Sequence, residues 1–123
     1  MAYYENLPIY RKAMELAVYL EQAVRSFPRY HKYSIGNDLR ILSKGLVKRI
    51  VQVNSLQNKA EMLRQLRDDA EELKITIAIC REIRAFRSFR QFERAAGLAV
   101  NLCRQSEGWL KSRQGKGSEF RRR

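Results

Sequence analysis

The sequence predicts an all-α fold, an antiparallel up-down-up-down four-helix bundle, and three observations carry that prediction. Apolar residues recur at spacings of three and four through four long segments, the period of a helix that buries one face. Only two prolines, Pro8 and Pro28, and six glycines interrupt the chain, so long helices are allowed. The connectors between segments are short, which makes consecutive helices antiparallel neighbours. A chain of 123 residues with 45% hydrophobic content suits one domain whose core needs neither disulfide nor metal. We expect the bundle over residues 1–113 and a flexible basic tail over 114–123.

The first helix is expected from about Asn6 to Phe27. Asn6 can cap it, and Pro8 suits the first turn, where a missing N–H costs nothing. Ile9, Ala13, Leu16, Leu20, Val24 and Phe27 form its stripe, and Phe27-Pro28 ends it because a residue before proline is pushed out of the α region. Arg29 to Tyr33 connects to a second helix, capped by Ser34 and reaching about Ser55. Its stripe is Ile35, Leu39, Leu42, Leu46, Ile50 and Val53. A flank of Ile41, Val47 and Val51 widens that face. The surplus fits either a subunit contact or a broad core-facing helix.

The third helix should span roughly Asn58 to Arg84, with Met62, Leu66, Ala70, Leu73, Ile77 and Cys80 inward. Ile75 to Ile79 alternates branched residues as a strand would. Length and the flanking helix formers overrule that reading, since β propensity is the more contextual signal. Ala85 to Phe89 turns the chain, and Ser88 caps a fourth helix that runs to about Ser112. Phe92, Ala96, Ala99, Cys103 and Leu110 mark its core face. Cys80 and Cys103, inside apolar stretches and without CxxC spacing, read as buried small hydrophobes of a reducing compartment.

Charge is the informative quantity. Lysine and arginine number 25 against 13 acids, a net charge of +12. Self-repulsion on that scale points to a polyanionic partner, with nucleic acid ahead of an anionic membrane or a merely basic surface. The excess lies in the second helix, the end of the third and the C-terminal segment. Arg81, Arg84, Arg87 and Arg90 recur every three residues through a helix end and turn, with Ile83, Phe86 and Phe89 between them. Arginine beside exposed apolar groups is how protein-binding hot spots are built, so these four are the candidate partner-binding residues. Arg40, Lys44 and Lys48 form a stripe without aromatics, which suits backbone phosphate. With Arg49, Lys74, Lys111 and Arg113 they make up the nucleic-acid candidates.

Several chemistries find no footing. His31 is the only histidine and sits in a connector. Asp68, Asp69, Glu71 and Glu72 come as adjacent pairs interleaved with Arg64 and Arg67, unlike the inward Glu-x-x-His motifs of a di-iron bundle. Neither a catalytic residue, nor a metal, nor a cofactor is expected. No signal peptide opens the chain, the apolar runs are too short for a bilayer, and the expected compartment is the cytoplasm. No Trp/Phe/Leu-rich face opposes the basic one, which argues against a membrane-surface role. Tyr30 and Tyr33 neighbour Arg29 and Lys32 and can stack on bases, although packing at the bundle end is the commoner use and the preferred one. The tail Lys116–Arg123 is either a phosphate-reaching arm or dispensable, since Gly-Ser-Glu-Phe resembles a cloning scar.

These patterns resemble one family. Leu7-Pro-Ile-Tyr-Arg-Lys-Ala, Phe27-Pro-Arg, Lys32-Tyr-Ser-Ile-Gly and a basic helix ending Asn54-Ser look like the accessory variability determinant proteins of diversity-generating retroelements. The Leu73-to-Arg84 helix, the Ser88-to-Glu93 turn and Gly108-Trp-Leu-Lys-Ser are similar too, so the resemblance covers about residues 5–112. Related bundle proteins encoded in ribosomal RNA intervening sequences carry an Asn-Ile-Ala-Glu-Gly-like signature where this chain reads Ile50-Val-Gln-Val-Asn-Ser. That departure favours the retroelement branch. The resemblance implies a homopentamer of bundles that binds a reverse transcriptase and its template RNA without polymerising anything itself. The alternative is a ribosome-associated or structural bundle with no reverse transcriptase partner.

Overall fold

The computed structural model describes the backbone of residues 3–55 and 59–122 and the side chains of residues 4–55 and 59–113. After a 3-10 turn at Tyr3–Asn6 come α1 (Pro8–Arg25), α2 (Arg29–Lys32), α3 (Ile35–Asn54), α4 (Ala60–Glu82) and α5 (Phe89–Arg122). The short α2 is a single turn. The other four make the expected all-α four-helix bundle, with α1 packed on α3, α3 on α4, α4 on α5 and α5 back on α1. Direction follows from the cross-contacts. Glu15 of α1 meets Arg94 of α5, and Tyr19 meets Gln91, so α5 descends as α1 rises.

The first stripe is buried as expected, from Ile9 through Leu16 and Leu20 to Phe27. Leu7, not Asn6, stands at the N-cap of α1, where no side chain caps and Pro8 fills the first turn. In α3 the inward residues are Gly36, Leu39, Ser43, Leu46, Ile50 and Val53, while Ile35 and Leu42 pack from the flank. Ser34 precedes α3 without capping it. Its hydroxyl turns back to donate to the Tyr30 carbonyl at 3.0 Å. Ser43 and Ser106 are tolerated inside because each hydroxyl donates to a carbonyl of its own helix, Arg40 at 3.2 Å and Cys103 at 2.8 Å.

The start expected for the third helix, Asn58, lies outside the described residues. Within α4, Leu63 joins the expected stripe. Alternation across Ile75–Ile79 suits a helix after all: residues four apart share a face, so Ile77 points inward while Ile75 and Ile79 stand outside. The fourth stripe differs from expectation by about one position. Ala95, Leu98, Leu102 and Ser106 are buried beside Ala99, Cys103 and Leu110, and Phe92 and Ala96 are only half-buried. The helix backbone continues beyond Ser112 to Arg122; no proline stands there to stop it.

One end of the bundle is closed tightly, and Gly36 permits it. A Cβ at Gly36 would lie 2.8 Å from Val24 Cγ1 and 3.0 Å from the His31 carbonyl oxygen, so α3 starts against the end of α1 only because glycine is there. The same end is filled by Phe27, Phe86 and Phe92 in edge-to-face contact, with centroids 5.2 and 5.9 Å apart. Gln91 ties it: its Nε2 donates to Ser26 Oγ at 3.2 Å, and Ser26 Oγ donates to the Ala23 carbonyl at 2.8 Å. Gly36→Ala is therefore expected to cost about 1–3 kcal/mol of stability in urea denaturation. Gly45→Ala, where nothing lies within 4 Å of the added methyl, should gain about 0.5–1 kcal/mol. Equal effects at the two positions would contradict the close approach.

Candidate nucleic-acid interface

The basic stripe of α3 divides once its neighbours are in place. Lys44 and Lys48 are exposed and take part in no ion pair among the described residues. Arg40 is drawn sideways to α1: its Nε lies 3.0 Å from Glu21 Oε2, with the N–H misaligned for a hydrogen bond, and a terminal nitrogen donates to the Glu21 carbonyl at 3.3 Å. Arg49 is held by Asp69 of α4, Nε to Oδ2 at 2.7 Å. The α3 sequence carries no acid after Asp38, but adjacent helices supply two.

The remaining nucleic-acid candidates are scattered. Lys74 on α4 pairs with Glu71 at 2.9 Å, and the hydrogen bond it donates to that carboxylate raises its pKa. Lys111 is exposed and Arg113 half-exposed on α5, at the end of the bundle away from the closed one. There Arg113 has a cationic neighbour in Lys59. Partial burial, and then the Arg113 charge, lower the Lys59 pKa, and its Nζ lies 5.7 Å from the Trp109 ring centroid. Lys44 and Lys48 thus form one patch and Lys111 with Arg113 another. The side chains of the tail residues Lys116–Arg123 lie outside those described.

Arg81, Arg84, Arg87 and Arg90 are brought together by the turn between α4 and α5. Helix α4 ends in a Schellman motif: the Ala85 N–H donates to the Cys80 carbonyl at 2.9 Å and the Arg84 N–H to the Arg81 carbonyl at 3.0 Å. The motif needs a left-handed residue, and Arg84 takes that place with φ 59, where glycine is usual. Ala85 is then buried beside Cys80. Ser88 starts α5 as expected, its Oγ accepting from the Gln91 N–H at 3.2 Å, while Gln91 Oε1 accepts from the Arg87 N–H at 2.9 Å. The Arg81 guanidinium lies over Phe89 and Phe92, 5.4 and 5.1 Å from their centroids. All four arginines are exposed, and none is ion-paired among the described residues.

The connector on the α1–α3 side stands at the same end. Tyr30 is 85% and Tyr33 72% exposed, which overturns the preference for packing there. His31 is half-buried on α2 with its ring against that of Tyr30, centroids 5.3 Å apart. Sequence reasoning misses the stripe Ile75, Ile79 and Ile83 on the outside of α4, although its four-residue spacing is a visible signal. Of the flank expected on α3, Val47 is packed against the core and Ile41 is 61% exposed beside the lysines.

Three of the adjacent α4 acids are engaged as surface pairs, Asp68 with Arg67, Asp69 with Arg49 and Glu71 with Lys74, while Glu72 is exposed. Among the described residues no cluster of His, Cys, Asp and Glu could hold a metal, and no helix is long and apolar enough to cross a membrane. Burial pushes the thiols of Cys80 and Cys103 up to about 12 and about 11, so both stay protonated and inert.

A family model described as bAvd-like matches residues 7–113. No curated protein matches the chain. Arg84 is expected to trade stability against exposure of its side chain: Arg84→Gly should stabilise the fold by about 1 kcal/mol in urea denaturation, because the left-handed conformation is strained for any residue with a Cβ. A loss of stability would mean that the arginine side chain itself supports the turn.

Proposed function

The chain belongs to the bAvd-like family of accessory variability determinant proteins, and we propose that it is the RNA-binding accessory subunit of a diversity-generating retroelement reverse transcriptase. The family is an accessory, non-catalytic one, so the work of such a chain is to bind. The observation that carries the reading is the cluster of Arg81, Arg84, Arg87 and Arg90 around Ile83 and Phe89, without an ion pair among the described residues, at an end whose backbone is held by capping and aromatic packing. Arginines beside exposed apolar groups suit a protein, and we assign this cluster to the reverse transcriptase. Lys44 and Lys48, uncompensated and without aromatic neighbours in sequence, suit template RNA phosphate, with Lys111 and Arg113 as a second contact.

A homopentamer in the cytoplasm completes the proposal. The outer stripe Ile75, Ile79 and Ile83 supports self-association, since apolar side chains at four-residue spacing on an exposed helix face gain from being covered. Light scattering should give several times the chain mass of 14.5 kDa, and a monomer at micromolar concentration would remove the pentamer from the proposal.

The two basic surfaces are expected to separate by mutation. Charge reversal at Arg84 and Arg87 should abolish capture of the reverse transcriptase in a pull-down while leaving RNA titrations near wild type. Reversal at Lys44 and Lys48 should do the opposite, and should reduce the slope of log affinity against log salt by about 2, one for each phosphate no longer neutralised. Circular dichroism should be unchanged in both, because no core stripe is touched. Equal loss of both activities in both variants would mean a single composite surface.

A further inference from the structure

The helical turn α2 and its flanks hold an arrangement that the division between arginine cluster and lysine stripe does not use. We propose that Tyr30 and Tyr33 form a stacking platform for unpaired bases of a single-stranded RNA, with Arg29 and Lys32 holding the adjoining phosphates. The inference rests on the RNA-binding reading above and adds to it the kind of RNA segment recognised at this end.

Two tyrosines exposed to 85% and 72% on one short connector have not been placed there by the core. Residues three apart on a helical turn share a side, so Tyr30 on α2 and Tyr33 at its C-cap stand along one edge of the turn. Each has a cation next to it in sequence, and Lys32 Nζ lies 6.0 Å from the Tyr33 ring centroid. From Gln22 to Asn37 the chain contains Arg25, Arg29 and Lys32 and no acid. The turn is also held firmly. Ser34 Oγ donates to the Tyr30 carbonyl, the His31 and Lys32 N–H groups donate to the Pro28 carbonyl at 2.9 Å, and Gly36 lets the start of α3 close against the His31 carbonyl oxygen, Val24 and Phe27.

Flat rings interleaved with cations fit a polyanion whose bases are open to stacking, and a duplex keeps its base faces covered. A protein anchor would sit in an apolar, water-excluding surround. These rings are bordered by Arg29, His31, Lys32 and Ser34 instead.

The test is a pair of titrations on the full chain, with a labelled single-stranded oligoribonucleotide and with a blunt RNA duplex. Tyr30→Leu with Tyr33→Leu keeps apolar bulk and removes the π-faces, whereas Tyr30→Phe with Tyr33→Phe keeps both. The leucine pair should lose on the order of tenfold or more in single-strand affinity, the phenylalanine pair no more than about twofold. Duplex affinity and the salt slope should be unchanged, since no cation is removed. If wild type binds neither RNA, the RNA-binding reading falls and the platform with it. If wild type binds the single strand and the leucine pair binds equally well, that reading stands and the platform is wrong. Equal loss on duplex and single strand, or loss of reverse transcriptase capture alone, also overturns it.

Discussion

Where the acids stand decides what this bundle can do with its charge. Many of the carboxylates lie along the sides of the helices and are engaged there in ion pairs. Glu15 takes Lys12 and Arg94, Glu21 takes Arg40, Asp69 takes Arg49, and Asp68 with Glu107 flanks Arg67. Exposed pairs of this kind contribute at most about 1 kcal/mol each, so their importance is distributional. They neutralise cations along and between the helices and leave Arg84, Arg87, Arg90, Lys44 and Lys48 without an ion pair among the described residues. Part of the net charge of +12 is thereby left where a partner can meet it.

Holding like charges together at one end requires a backbone that does not depend on their mutual comfort. Aromatic contacts among Phe27, Phe86 and Phe92 fill the space beneath, and Gln91 joins the end of α1 to the start of α5. The Schellman turn then aims the chain so that Arg84 faces solvent while Ala85 is buried. Among the described residues Arg81 pairs with no carboxylate, and it lies against two aromatic faces. Charge, apolar exposure and rigidity coincide there, which is the combination a recognition surface needs.

Much of this is legible in the sequence, and the failures have physical causes. The stripes of α1 and α4 are readable because leucine, isoleucine and valine dominate them. The α5 stripe slips because Ala95, Ala96 and Ala99 surround Gly97, and such small residues barely distinguish inside from outside. The candidate surface is harder. Arg40 and Arg49 look free when only the acids along α3 are weighed, whereas Glu21 and Asp69 come from helices adjacent only in space. The clustering of Arg81 to Arg90 is visible as a three-residue period, yet the left-handed backbone at Arg84 is not, since nothing short of the turn's hydrogen bonds reveals it. General frequency assigns Tyr30 and Tyr33 to packing; their exposure follows from a connector too short to fold them back.

Everything proposed for this chain depends on its assisting a polymerase without being one. The direct measurement is cDNA synthesis on the retroelement's template RNA by its reverse transcriptase, with and without the chain, and by the chain alone. The expected result is cDNA from the pair, little or none from the reverse transcriptase by itself, and none from the chain. Equal synthesis with and without the chain would contradict it.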